Sequence, residues 1–145
     1  MISRLVNTER CKEVVSQHLN YFTFDVEEWF NKKENYALID GENIAFGEYK
    51  HPGVYWVHFC FNTARGRDAI NLTKRMFAEF CKACPVKIAV GLISVDNLKA
   101  KWLIRQVGFQ SLGEIMTENG LCEMFYSFSV LEDFNTTKEV NNGKV

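Results

Sequence analysis

One titratable side chain, His58, interrupts the otherwise apolar segment Val54–Phe61, VYWVHFCF. Burial keeps an imidazole neutral and proton-accepting, the state a general base needs. The alternative reading of His58 is a hydrogen-bonded core histidine. Glu48, at the end of the preceding apolar stretch, is either a base acting through water or an exposed edge carboxylate. Asn62-Thr63-Ala64-Arg65-Gly66-Arg67 then leads into a helix. Free N–H groups at a helix start, the dipole there and two arginines favour an anion such as phosphate. Asp68 in this loop would repel phosphate unless it turns away to cap its own helix, and the capping role is the expected one. Cys81 and Cys84 have C-x-x-C spacing but lack a second ligand pair or a neighbouring histidine, so ordinary packing is expected of them.

The elements that must position these groups follow from periodicity and punctuation. Val86, Ile88, Val90, Leu92 and Ile93 make residues 86–94 a strand covered on both faces. Asp96 is the expected N-cap of a helix whose Ala100, Leu103, Ile104 and Val107 share one stripe, and Gly108 stops it. Upstream, residues 2–6 read as a strand. A helix opens at Asn7-Thr8, carries Cys11, Val14, Val15 and His18 on its inner side and ends near Asn20. Asp25 caps a short helix with Val26, Trp29 and Phe30, and Glu27 and Glu28 stand in its first turn. Strands over 36–40 and 43–49 flank a Gly41 turn, and Lys50-His51-Pro52-Gly53 turns the chain into Val54–Phe61. A helix over 68–83 follows. Near the C-terminus, strands over 110–117 and 121–130 are joined by Glu118-Asn119-Gly120. The order predicts one α+β domain over 1–131, with six to seven mostly antiparallel strands and about four helices, and a polar tail over 132–145.

Asn97, Ala100, Gly108 and Phe109 resemble the N-x-x-A…G-F segment of the GNAT acyl-CoA N-acyltransferase superfamily, in the flavour of small GNAT-like proteins of tailed bacteriophages. Arg65, Gly66 and Arg67 match the start of that superfamily's R-G-x-G-x-G/A pyrophosphate loop. Asp68 replaces its second glycine and Ile70 its third small residue. Ile104 stands where many members carry a tyrosine acid. The resemblance implies a GNAT fold in which the pantetheine arm of acetyl-CoA pairs with splayed strand backbone. That makes Phe59, Phe61, Arg65, Gly66, Arg67 and Asn97 the cofactor candidates, with Asn97 alternatively supporting only the helix cap. It implies His58 and Glu48 as the catalytic candidates. Tyr21, Phe22, Phe24, Trp29 and Phe30 would floor an acceptor pocket, form an interface, or simply pack. The activity implied is acetyl-CoA-dependent N-acetylation of a primary amine. The alternative is a catalytically silent component of a phage head or virion, as in the internal virion proteins of podophages.

Composition narrows the partners. The 145 residues carry 17 Lys+Arg against 18 Asp+Glu, a net charge of −1, so no molecule-wide field draws the chain to nucleic acid or an anionic membrane. No apolar run approaches the length of a spanning helix, and the first residues lack a signal-peptide pattern. Five scattered cysteines read as reduced thiols. These readings predict a soluble intracellular protein; the phage resemblance implies a host cytoplasm and, besides a homo-oligomer, phage structural proteins as partners. Phe77, Phe80, Phe109, Phe125 and Phe128 are expected in the core, and Lys99, Lys101 and Arg105 on the solvated face of the last helix.

Overall fold

A computed structural model describes residues 1–18 and 24–130, His18 by its backbone only. The His18 side chain, Tyr21, Phe22 and the 132–145 segment lie outside the described residues. Chain order is β1 (Ser3–Arg4), α1 (Thr8–Val15), a 3-10 turn (Ser16–His18), α2 (Val26–Asn31), β2 (Tyr36–Asp40), β3 (Asn43–His51), β4 (Val54–Phe61), α3 (Gly66–Ala83), β5 (Ile88–Ser94), α4 (Leu98–Gln106), β6 (Gln110–Thr117) and β7 (Gly120–Phe128). Among the described residues, seven strands form one mixed sheet in the order β1-β2-β3-β4-β5-β7-β6, with β4–β5 the only parallel pair.

Local chemistry accounts for most boundaries. Asn7 accepts from Arg10 N at 3.1 Å and Asp25 from Glu28 N at 3.1 Å, which starts α1 and α2 where the capping residues stand. The first strand is shorter than the 2–6 expected, because Leu5 turns into the core after one bond to Ala37 O (2.9 Å) and Val6 is exposed. In α3 the buried Ala69, Leu72, Thr73, Met76, Phe77, Phe80 and Cys81 recur at three- and four-residue spacing, one continuous apolar face.

The helices divide between the two faces of the sheet. On one, Cys11, Val14, Val15, Val26 and Trp29 from α1 and α2 pack on Ala37, Ile44, Phe46 and Cys60. On the other, Phe77 and Cys81 from α3 and Ile104 from α4 pack on Tyr55, Val57, Ala89 and Phe125. Alternation along β4 therefore sends Tyr55, Val57 and Phe59 toward α3, and Trp56, His58 and Cys60 toward α1 and α2.

Four expectations are corrected. Phe128 is 59% exposed rather than core, at the end of β7 where none of the described helices covers it. Lys101 and Arg105 do not belong to a merely solvated face: both pair at 3.0 Å with the buried Glu123 of β7, tying α4 to the sheet. The N-cap of α4 is Asn97, which accepts from Ala100 N at 3.2 Å, and Asp96 stands one residue too early. Asp68 is no cap either: α3 begins at Gly66, with Asp68 in its first turn.

Candidate functional site

The parallel ladder between β4 and β5 stops almost as soon as it starts. Val54↔Ile88, Tyr55↔Ala89 and Trp56↔Val90 are paired, and beyond them the strands part. β3 stays registered with β4 as far as Asn43↔Phe61, and β7 with β5 as far as Ser94↔Cys122. Each diverging strand is thus held on its outer edge and left without a strand partner on its inner edge. Unpaired N–H and C=O groups along such an edge form a template for an extended ligand with amides of its own. Because β4 and β5 run parallel, α3 and α4 both begin at the open end. Two helix N-termini there bias the mouth toward negative charge.

The loop from β4 to α3 is braced for this purpose. Buried Asn43 accepts from Thr63 N (3.0 Å) and Ala64 N (3.1 Å) and donates to Thr63 Oγ1 (2.9 Å). Arg65 curls back on its own loop, donating to Asn62 O and Ala64 O at 3.1 Å each. Gly66 follows with φ +54°, a left-handed conformation that turns strand directly into helix and strains any other residue. No side chain caps α3, and the Gly66 and Arg67 amides have no acceptor among the described residues. Exposed Arg67 stands beside these free donors. Asp68 lines, with Asp40, Asn43, Thr63, Asn71 and Arg75, a shallow depression of about 760 Å³ beside the loop.

Among the cofactor candidates, Phe59 and Phe61 lie on the diverging part of β4, ring against ring at 6.0 Å. Arg65, Gly66 and Arg67 stand at the mouth. Asn97 starts the helix beyond β5, its carboxamide oxygen committed to the cap. Asn43 has no counterpart among the sequence-derived candidates. One asparagine after a Gly-Glu turn carries no recognisable signal, and its role appears only once β3 lies beside the loop. Asn43→Ala would leave the Thr63 and Ala64 amides unsatisfied. A loss of about 1–3 kcal/mol of stability is expected in urea unfolding.

His58 and Glu48 share the opposite face of this same region. Phe46 is opposite His58 in register and Trp56 is opposite Glu48, so all four side chains point toward α1 and α2. Surrounding protein strips water from the half-buried His58 and lowers its pKa; Glu48 pulls it back up, and Lys50 pushes it down. Glu48 is not the exposed edge carboxylate considered above. Its Oε2 accepts from Trp29 Nε1 at 3.2 Å and its Oε1 pairs with Lys50 Nζ. Burial alone would raise the Glu48 pKa, but Lys50 and the Trp29 indole outweigh it and keep the carboxylate ionised. A neutral proton acceptor and a fixed negative charge therefore stand beside the last β4–β5 rung. Ile104 is buried in the α3–α4 core and offers no hydroxyl. Cys81 and Cys84 are buried free thiols, and burial pushes the Cys84 thiol up.

No protein-family model matches the chain, and no curated protein matches it in sequence. Solved structures match in shape. A variant of spermidine N-acetyltransferase from Vibrio cholerae superposes with a TM-score of 0.71 at 11% identity, over 89% of this chain and 95% of that one. The chain has the GNAT fold. The same Vibrio cholerae enzyme in complex with CoA and spermine gives a TM-score of 0.65 at 14% identity, over 89% and 95% of the two chains. Aminoglycoside acetyltransferase AAC(6')-Ib in complex with coenzyme A and kanamycin gives 0.67 at 14% identity, over 95% and 99%. With so little sequence in common, the GNAT fold is what these likenesses establish. No helix among the described residues is long and apolar enough to cross a membrane.

Proposed function

We propose that this protein is an acetyl-CoA-dependent N-acetyltransferase acting on a primary amine. The observation that carries the reading is the end of the β4–β5 ladder at Trp56↔Val90. The inner edge of β4 from Val57 onward suits the amides of a pantetheine arm, and the Gly66 and Arg67 amides with the Arg67 guanidinium suit a pyrophosphate. Phe59 and Phe61 line the strand between them. Arg65 acts through the loop it braces. Solved GNAT-fold neighbours bound to CoA with spermine or kanamycin support the same donor and acceptor classes.

The donor supplies a thioester carbonyl. His58, neutral at physiological pH, takes a proton from the acceptor's ammonium, and Glu48 favours the imidazolium that results. The amine nitrogen bonds to the carbonyl carbon, a strand N–H beside the opening stabilises charge on the oxygen, and the C–S bond breaks. The nitrogen, now bonded to carbon, sheds its second proton to solvent, and the departing thiolate takes one up from solvent in turn, because Ile104 has none to give.

Acetyl-CoA is expected to raise the melting temperature. At a concentration 100 times its Kd, a ligand selective for the folded state adds about 2.7 kcal/mol, roughly 5–10 °C for a domain of this size. No shift at millimolar acetyl-CoA would overturn the proposal. A second reading, a coenzyme-silent phage head or virion component made in a host cytoplasm, is favoured by Ile104 and by Asp68 at the loop's second glycine position. It requires a flat thermal-shift curve together with detection of the protein in purified particles by mass spectrometry.

A further inference from the structure

Lys50 is the residue that the β3–β4 ladder skips. Pairing runs from Asn43↔Phe61 to Tyr49↔Tyr55, then shifts register and resumes at His51↔Val54. A bulge of this kind bends a strand and re-aims the side chain it carries. Here it brings the Lys50 ammonium onto Glu48 Oε1 and over the Trp56 ring, 4.7 Å from the centroid. The Glu48 carboxylate is held from behind by the Trp29 indole and stays ionised, so the receptor is rigid while its occupant hangs on four flexible methylenes. A fixed carboxylate opposite an aromatic face is the combination that recognises an alkylammonium. It lies on the last β4–β5 rung, one step along β4 from His58.

We propose that the Glu48 carboxylate and the Trp56 ring form a subsite for a primary alkylammonium group, which Lys50 fills from within the chain until an acceptor displaces it. The inference rests on the transferase reading for its purpose and deepens it by naming where the amine docks and what it must expel. An ammonium bound there stands beside His58, the group that takes its proton. Neutral amides and alcohols gain nothing from either partner, so acceptors are selected by charge.

The test is binding of n-butylammonium chloride, followed by the indole N–H signals of Trp56 and Trp29 in NMR titrations, with n-butanol as the uncharged control. Wild-type protein binds weakly. Lys50→Met and Lys50→Gln are each expected to tighten n-butylammonium binding by about tenfold, the order of one cation–π contact plus relief from an internal competitor. Addition of Glu48→Gln to Lys50→Met removes the gain, and n-butanol responds in none of the proteins. Two Lys50 variants guard against one that fails to fold, and a retained melting transition certifies each. Unchanged affinity in both folded Lys50 variants overturns the proposal, as does tightening that survives Glu48→Gln. The titration needs no donor. If acetyl-CoA fails to bind while n-butylammonium follows the expected pattern, the transferase reading falls and the subsite stands.

Discussion

His58→Gln is expected to lower acetyl transfer by about 10²–10⁴-fold, the usual contribution of a positioned general base, without unfolding the protein. Glutamine keeps much of the imidazole's volume and can accept a hydrogen bond, but it cannot carry the proton away. Measured kcat and KM on a simple primary amine separate the outcomes: the loss belongs in kcat, with acetyl-CoA affinity unchanged. A variant as fast as wild type would remove His58 from the mechanism. The pH profile carries a second signature. Burial places the folded-state pKa of His58 below its ordinary 6.5, so the wild-type rate falls on acidification with a limb centred below that value. Glu48→Gln removes a raising influence and moves the limb lower, whereas Lys50→Met removes a lowering one and moves it higher. Stability follows the same sign. The unfolded chain binds a proton at His58 near pH 6.5 and the folded chain only at lower pH, so this group costs stability as pH drops below 6.5 and nothing above it. His58→Gln flattens that dependence.

Phe80→Ala is expected to cost about 3–5 kcal/mol, a large share of the 5–15 kcal/mol that stabilises a typical domain. Phe80 is 1% exposed, its ring 6.0 Å from that of Tyr36, and it presses on the strand at Gly47. A Cβ built on Gly47 would lie 2.8 Å from Phe80 Cε1. Two effects of Gly47→Ala therefore compete. Restricting the unfolded chain gains about 0.4–1 kcal/mol, and overpacking a tight core costs about 1–3 kcal/mol. The second wins while the phenyl ring is present, because Phe80 is enclosed and cannot withdraw. In a Phe80→Ala background the clash is gone, and Gly47→Ala should become neutral or stabilising. Urea unfolding of the two single variants and the double variant reads this directly. Equal costs of Gly47→Ala in both backgrounds would show that α3 does not rest on the glycine.

Much of the architecture was legible in the chain. Tyr36–Asp40, Val54–Phe61 and Gln110–Thr117 are strands over the residues expected of them, and Asp25 caps α2 where the sequence placed it. The helix expected over 68–83 forms as Gly66–Ala83. Arg65-Gly66-Arg67 was legible as an anion-favouring loop, but Arg65 turned out to brace the loop itself, and Asn43, its other support, went unseen. Cap assignment missed by one residue at Asp96 and by more at Asp68. Both acids are plausible caps, and the choice depends on which turn the chain enters first.

By itself the sequence determined what is local: which segments are extended or helical, where the Pro-Gly and Asn-Gly turns fall, and that His58 lies in an apolar strand. These follow from residue-level conformational preference and from the period at which apolar side chains recur. Only tertiary structure decided where β4 leaves β5, that Lys101 and Arg105 meet on Glu123, that Glu48 is clasped by Trp29 and Lys50, and that Gly47 lies under Phe80. Each of these depends on register between segments far apart in the chain, where a shift of one residue sends a side chain to the opposite face of the sheet.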